Sequence, residues 1–563
     1  MTASAMPAAA QESATSRPAS AAGAYIVRAQ PGHLPELVAE LQDRHVDVQR
    51  RIGIIDAAVA ALPAGVADAL RADPHVAAVT PNAALTLQAT TYDAVADVNS
   101  LYNNENATKV RQMWSKGYTG AGIDVALIDS GVAPVAGLSD AGKIVNGPDL
   151  TEESQSASTR YLDTYGHGTH MAGIIAGHDS GIVTKSAALN TTAFLGVAPD
   201  ARIMSVKVAD ARGATDVSQV IAAIDWVVQH AKDPGMNVRV LNLSFGTNAT
   251  QAYTLDPLAF AVEVAWRNGI VTVVSAGNNG AGGMTNPATD PYVIAVGATD
   301  TNGTVTIVDD TVPDFSSQGL GTRLPDFLAP GSHVQSLRVP GSYIDTAYGS
   351  TGLINERFFR GSGTSQAAAF VSGAAALLLQ ANPGYTPDQI KSMLRLSANA
   401  IGGATPQAQG QGVINLVSAS NTVPSSEPQS YPPSTGTGTL EGSRGDAHLS
   451  LNGVTLSGEV DIMGQRFDSA AMATLEAEGK SWAGGTWNGS SWAGSSWAGS
   501  SWSSTSWTGK SWAGSSWAGK TWATGTWTSK GWTSTNWSGK TWSGMTWTGK
   551  IWVGKVWADA RWS

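Results

Sequence analysis

The chain has 563 residues, no cysteine, 14% charged residues and a net charge of −10. That length calls for more than one domain, and the missing cysteines exclude thiol nucleophiles, thiolate metal sites and disulfides. The acidic balance argues against nucleic acid as the partner of the whole molecule, and the longest apolar run, near Ala367–Leu379, is too short to span a membrane and reads as a core helix.

In chain order, residues 1–23 are rich in Ala and Ser and carry an A-x-A pattern, which reads either as the remnant of an export signal or as a flexible leader. From 24 to 88 the apolar spacing predicts strand, helix, strand, strand, helix, strand, a small α+β unit. From 89 to 419, runs such as IDVALID, RIMSVKV, RVLNLSF, IVTVVSA and YVIAVGA alternate with helical stretches. Near-continuous apolar strands between amphipathic helices predict an α/β domain with a mainly parallel sheet covered on both faces, its active residues at the carboxyl ends of the strands. Residues 420–445 have the Ser/Pro/Gly/Thr composition of a linker, and 446–480 suggest a small β segment with a hairpin at Asn452-Gly453.

From 481 to 563 a tryptophan recurs at every fifth position, from Trp482 to Trp562. A five-residue step scatters side chains around a helix, and Ser, Thr and Gly are weak helix formers, so the repeat predicts stacked β-structure. Six lysines and one arginine face a single aspartate there, +6 on an otherwise acidic chain.

Three short motifs carry the chemistry. VALIDSGV ends a strand at Asp129; YGHGTHMAGIIAG sets His167 between glycines at a helix start; GSGTSQAAAFVSG places Ser365 at the mouth of a buried helix. Taken singly, they read as a turn cap, a structural or metal-binding histidine and a helix cap. His167 and His170 stand near the spacing of helical zinc ligands, but the glutamate of an H-E-x-x-H motif is missing, so no metal site is expected and His170 reads as structural. Together they supply what a serine nucleophile needs: a neutral imidazole to take its proton and a carboxylate to orient the imidazole.

VALIDSG, GHGTH and GTSxAA resemble the three sequence blocks of the subtilisin-like serine proteases, in the order Asp, His, Ser. The resemblance implies a three-layer subtilisin-like domain preceded by an inhibitory α+β propeptide over 24–88, to which the repeat adds a β-rich tail. It assigns Asp129 to orient the histidine, His167 as base and then acid, and Ser365 as the nucleophile. VSAGNNG resembles a fourth block, which makes Asn278 a donor to the oxyanion. NLSFG resembles the strand that pairs with substrate, so Ser244, Phe245 and Gly246 are expected to line the cleft opposite Ser275, Ala276 and Gly277.

This chain departs from the family at Gln366, where methionine is usual, and at Ala369, where many relatives have proline. No acidic residue stands in the matched cleft strands, so broad specificity is expected. The expected partners are polypeptide substrates and the chain's own propeptide, with no cofactor for the chemistry. Relatives often bind structural calcium, but no ligand loop can be matched. A secreted or cell-surface location is expected, although no complete export signal is evident. The rival reading is a surface-binding protein whose tryptophan tail holds cell-wall polymers or glycans through stacking and charge, with the protease domain ancillary; a self-packed tail with tryptophans as its core is the alternative for that segment.

Overall fold

The computed structural model describes residues 23–63, 65–82, 92–182, 184–451 and 454–491, with short strands between 506 and 553. The expected leader and most of the tryptophan repeat lie outside the described residues. Two compact units divide at Thr91.

The first unit runs β1 (Gly23–Ala29), a helix Leu34–Asp43, β2 (Asp47–Ile52), β3 (Ala57–Leu62), a helix Val66–Arg71 and β4 (Val76–Pro81), the order read from its spacing. Its strands pair antiparallel in the order β2-β3-β1-β4. Ala58, Ala60 and Leu62 turn one face of β3 inward at strand period, where Leu37, Val38 and Leu41 of the first helix meet them.

The second unit is built on a seven-stranded sheet: β5 (Asp124–Asp129), β6 (Ile144–Asp149), β7 (Arg202–Lys207), β8 (Val238–Leu243), β9 (Val271–Ser275), β10 (Ile294–Thr299) and β11 (Phe327–Pro330), in the order β11-β10-β9-β8-β5-β7-β6. Every pairing in it is parallel. β5, β9 and β10 are buried at every residue, because helices cover both faces. Helices His167–Ala176 and Thr364–Ala381 pack on each other and on the sheet, as do Val217–His230 and Pro257–Arg267. The protein therefore has the α/β fold read from its sequence. The strands β6 and β11, at the sheet's two edges, were not read there: Asn146, Gly147 and Pro148 interrupt the apolar run of β6, and β11 is an apolar run of only four residues that ends in Pro330.

The stretch with linker composition is packed into this unit. Ser434 N–H donates to Glu263 Oε1 at 2.7 Å and Gly438 N–H to Leu255 O at 2.6 Å. A short helix Leu440–Arg444 then carries Arg444 into the interior, where its side chain and that of Asp216 are both fully buried. Composition reports only local preference; these polar residues are ordered by partners about 170 to 230 positions away.

The predicted hairpin is present as Ser450–Leu451 paired antiparallel with Val454–Thr455, followed by a helix Ser469–Ala477. The first tryptophans of the repeat are core: Trp482 Nε1 donates to Ala222 O and Trp487 Nε1 to Asp225 Oδ2, each at 2.7 Å, on helix Val217–His230. Further along, the backbones of 506–509, 526–529 and 546–549 pair in parallel, as do 512–513, 532–533 and 552–553. Their 20-residue step equals four pentapeptides per turn of stacked β-structure.

Candidate active site

Asp129 is the last residue of β5, at the sheet's carboxyl edge. The chain turns away through Ser130 and Gly131, the latter at φ +97°. His167 opens the helix His167–Ala176 after Gly166, at φ +105°. A Cβ on Gly168 would stand 2.2 Å from Gly131 O and 3.2 Å from Asp129 Oδ1, so only glycine lets this helix approach the aspartate turn. His167 Nδ1 consequently lies 2.8 Å from Asp129 Oδ1 and 3.0 Å from Oδ2. A carboxylate only accepts, so Nδ1 carries the proton and Nε2 is left as the acceptor. Burial lowers the imidazole's pKa, but the charge and hydrogen bond of Asp129, with the charge of Asp163, outweigh it and hold the value above the ordinary one.

Two residues that the sequence reading missed brace this pair. Asp163 accepts from Ser130 Oγ at 2.8 Å, Gly166 N–H at 2.6 Å and Thr169 N–H at 2.7 Å, tying the aspartate turn to the histidine helix. Its place four residues before His167 was the available signal. Lys207, at the end of β7, donates to Ser130 O at 2.9 Å and Leu162 O at 2.6 Å and pairs with Glu153 at 2.8 Å.

Ser365 sits in the first turn of the 18-residue helix Thr364–Ala381, after the N-cap Gly363. The first amides of a helix lack intrahelical partners and carry its positive end. Asn278 follows β9. Its Oδ1 accepts from Thr364 N–H at 2.9 Å and from Thr364 Oγ1 at 3.1 Å, which assigns the other side-chain atom, Nδ2, as a donor into the cleft. A Cβ on Gly363 would come 2.9 Å from Gln366 Oε1, so glycine leaves room here for the Gln366 side chain.

A cavity of about 220 Å³ beside Ser365 is lined by Asn278 and by four of the six expected cleft residues, Ser244, Gly246, Ser275 and Gly277. The other two point elsewhere. Phe245 is half-buried against the main core, and Ala276 is buried with its N–H on Val296 O. The cavity wall also includes Thr285, Asp446 and Ala447.

A smaller cavity of about 60 Å³ is lined by His167, His170, Phe359 and Gln366, among others. Burial pushes the His170 ring down to about 3, so it is a neutral core histidine. Among the described residues no three His, Asp or Glu side chains gather as a metal site would require, and no helix is long and apolar enough to cross a membrane.

Comparison with known proteins agrees with this geometry. The subtilase family matches residues 120–412. The serine protease AprX of Bacillus subtilis (strain 168) is 37% identical over 314 residues, 54% of this chain and 67% of its own length. Subtilisin Savinase of Lederbergia lenta is 34% identical over 307 residues, 54% and 93% of the two chains. A crystal structure of a cold adapted subtilisin-like serine proteinase is 30% identical, covers 53% of this chain and 88% of its own, and superposes with a TM-score of 0.39. The chain belongs to the subtilase family and is a serine-type endopeptidase.

Proposed function

We propose that Ser365, His167, Asp129 and Asn278 are its catalytic residues and that it cleaves extended polypeptides through an acyl-enzyme. His167 Nε2 takes the proton of Ser365 Oγ as that oxygen attacks the scissile carbonyl. Asp129 keeps the imidazole in the tautomer this requires and stabilises the imidazolium that forms, the same interaction that raises the His167 pKa. Asn278 Nδ2 and the Ser365 amide donate to the oxygen that becomes negative. The imidazolium then protonates the leaving amine, and water hydrolyses the ester by the reverse sequence. No step calls on a cofactor. Substrate backbone pairs with the edges at Ser244–Gly246 and Ser275–Gly277, which flank the cavity beside Ser365.

The two-point contact of His167 Nδ1 with Asp129, at 2.8 and 3.0 Å, carries this reading. We also propose that the protein is exported and made as a zymogen, with residues 24–88 as an intramolecular inhibitor removed by self-cleavage. Support comes from the βαββαβ order of the first unit and from a relative named minor extracellular protease Epr, 29% identical over 380 residues. The test is the chain beside its Ser365→Ala variant, followed by propeptide cleavage, casein hydrolysis and labelling with a fluorophosphonate. The parent is expected to mature, digest casein and label; the variant does none of these. A folded variant that still matured or digested casein would remove Ser365 from its role.

The tail reading as a surface-binding segment rests on its charge of +6 and its tryptophan repeat. In-register pairing of Trp507 with Trp527 and Trp547 suits a regular array as well as a self-packed module.

A further inference from the structure

The primary pocket contains a side chain from outside the family match. Residues 120–412 match the subtilase family, and their cleft strands hold no acidic residue; Asp446 lines the same cavity as Ser365. We propose that Asp446 makes this pocket select a basic residue, lysine or arginine, on the acyl side of the scissile bond, a proposal that rests on Ser365 being the nucleophile.

Asp446 is held at this position by the chain immediately before it. Arg444 lies fully buried and donates from Nε to Asp216 Oδ2 at 2.7 Å, from Nη1 to Gly458 O at 2.6 Å and from Nη2 to Val460 O at 2.5 Å. Thr247 Oγ1 donates to Ser443 O at 2.5 Å, and Thr250 N–H to Gly442 O at 2.8 Å. Gly445, at φ +61°, passes so near the cleft strand that a Cβ there would stand 1.9 Å from Asn248 O. Any other residue would push the chain off the pocket. These contacts belong to a built wall of the site, with Asp446 as its next residue.

The carboxylate is also oriented. Asn279, the neighbour of Asn278, donates from Nδ2 to Asn248 Oδ1 at 2.9 Å, and Asn248 donates from Nδ2 to Asp446 Oδ2 at 2.8 Å. This amide relay is the one side-chain hydrogen bond to the Asp446 carboxylate among the described residues. No lysine, arginine or histidine of the described chain forms an ion pair with it, so its charge is available to a ligand.

The rest of the lining favours the same ligand. Ser244, Asn248 and Asn279 present hydroxyl and amide groups, and Ala447 is the single apolar side chain of the cavity wall. An apolar substrate side chain gains little by entering such a pocket. Thr285 fills the floor: its Oγ1 stands 2.2 Å from where a Cβ on Gly246 would be and 2.9 Å from one on Gly277. A long flexible side chain is therefore stopped at the floor and turned toward Asp446, where its cationic end meets the carboxylate in a charge-assisted hydrogen bond.

The test uses the full chain with peptide substrates that differ only in arginine, lysine or leucine at the residue before the cleaved bond. Arginine and lysine are expected to exceed leucine in kcat/KM. Asp446→Asn should cut the arginine-to-leucine ratio by about tenfold to a hundredfold, the range for losing a hydrogen bond to a charged group, and Asp446→Lys should bring it below one. A ratio that Asp446→Asn leaves within about twofold would overturn the proposal, as would a parent enzyme that favours leucine. Fluorophosphonate labelling runs in parallel: protein that is folded yet neither labels nor cleaves any of the peptides refutes the assignment of Ser365, whereas labelled protein that ignores the charge refutes Asp446 alone.

Discussion

The sheet of the catalytic unit and the segment 434–490 that follows it in the chain are held by different balances of apolar and polar contact. β5, β9 and β10 are buried along their whole length and consist largely of Val, Ile, Leu and Ala, so their place follows from removing apolar surface from water. The later segment is rich in Ser, Thr and Gly. Besides the burial of Leu440, Phe467, Met472, Trp482 and Trp487 in the same core, long polar contacts hold it: the Arg444–Asp216 pair, the Ser443 hydroxyl on Asp256 Oδ1 at 3.0 Å, and the indole N–H groups of Trp482 and Trp487 on helix Val217–His230. The family match ends at residue 412, but the folded unit continues past it. A boundary of sequence similarity is therefore not a boundary of packing, and part of the wall of the cavity beside Ser365, at Asp446 and Ala447, lies on the far side of it.

Substitutions in the two regions should separate stability from chemistry. The largest stability effect is expected from Arg444→Ala, which leaves Asp216 buried without its partner, at a cost of about 3–5 kcal/mol. Asp216 also caps helix Val217–His230, so the loss reaches beyond the segment. Thermal unfolding in the Ser365→Ala background, which prevents self-digestion, would measure it; a midpoint unchanged from the parent would mean that the segment is not part of the folded unit. Asn278→Ala should do the reverse, lowering turnover by about 10²–10³ as one oxyanion donor is lost while the unfolding midpoint stays within a few degrees. Steady-state kinetics beside calorimetry would decide between these effects.

The smallest effect expected is a pH dependence within the later segment. Burial pushes the Asp225 carboxyl up to about 7, against the pull of its hydrogen bond from Trp487. Glu476 is raised too, by its own burial and then by the charge of Asp225. A carboxyl whose folded pKa lies above its unfolded value of about 3.9 contributes stability that is complete below the unfolded value and lost as pH rises through the folded one. The unfolding midpoint should accordingly fall by a few degrees between about pH 4 and 7, and Asp225→Asn should flatten that fall. An equal slope in parent and variant would remove Asp225 as its source.

Much of the proposed catalytic site was legible in the chain because its parts are local. A strand ending at Asp129, a histidine between glycines and a serine at a helix mouth are each specified within about ten residues, and the need for all three together singles them out. Asn278 was legible through its block of neighbours. Asp163 was not, since a lone aspartate before a turn has many uses; its three hydrogen bonds appear only once Ser130, Gly166 and Thr169 are brought together. Phe245 and Ala276 were expected in the cleft because whole motifs were carried over, whereas in the fold Phe245 packs on the core and Ala276 is buried with its N–H on Val296 O.

By itself the sequence determined the α/β class, the order of elements in the first unit, and Asp129, His167, Ser365 and Asn278 as the residues to place, because apolar periodicity and short motifs are properties of neighbours in the chain. Tertiary structure alone decided that a Ser/Pro/Gly/Thr stretch is no free linker, that Trp482 and Trp487 are core, and that Asp446 faces the pocket of a serine 81 positions before it. Those outcomes depend on which distant groups meet in the fold, such as Arg444 with Asp216 across 228 positions, and neither composition nor spacing encodes such a meeting.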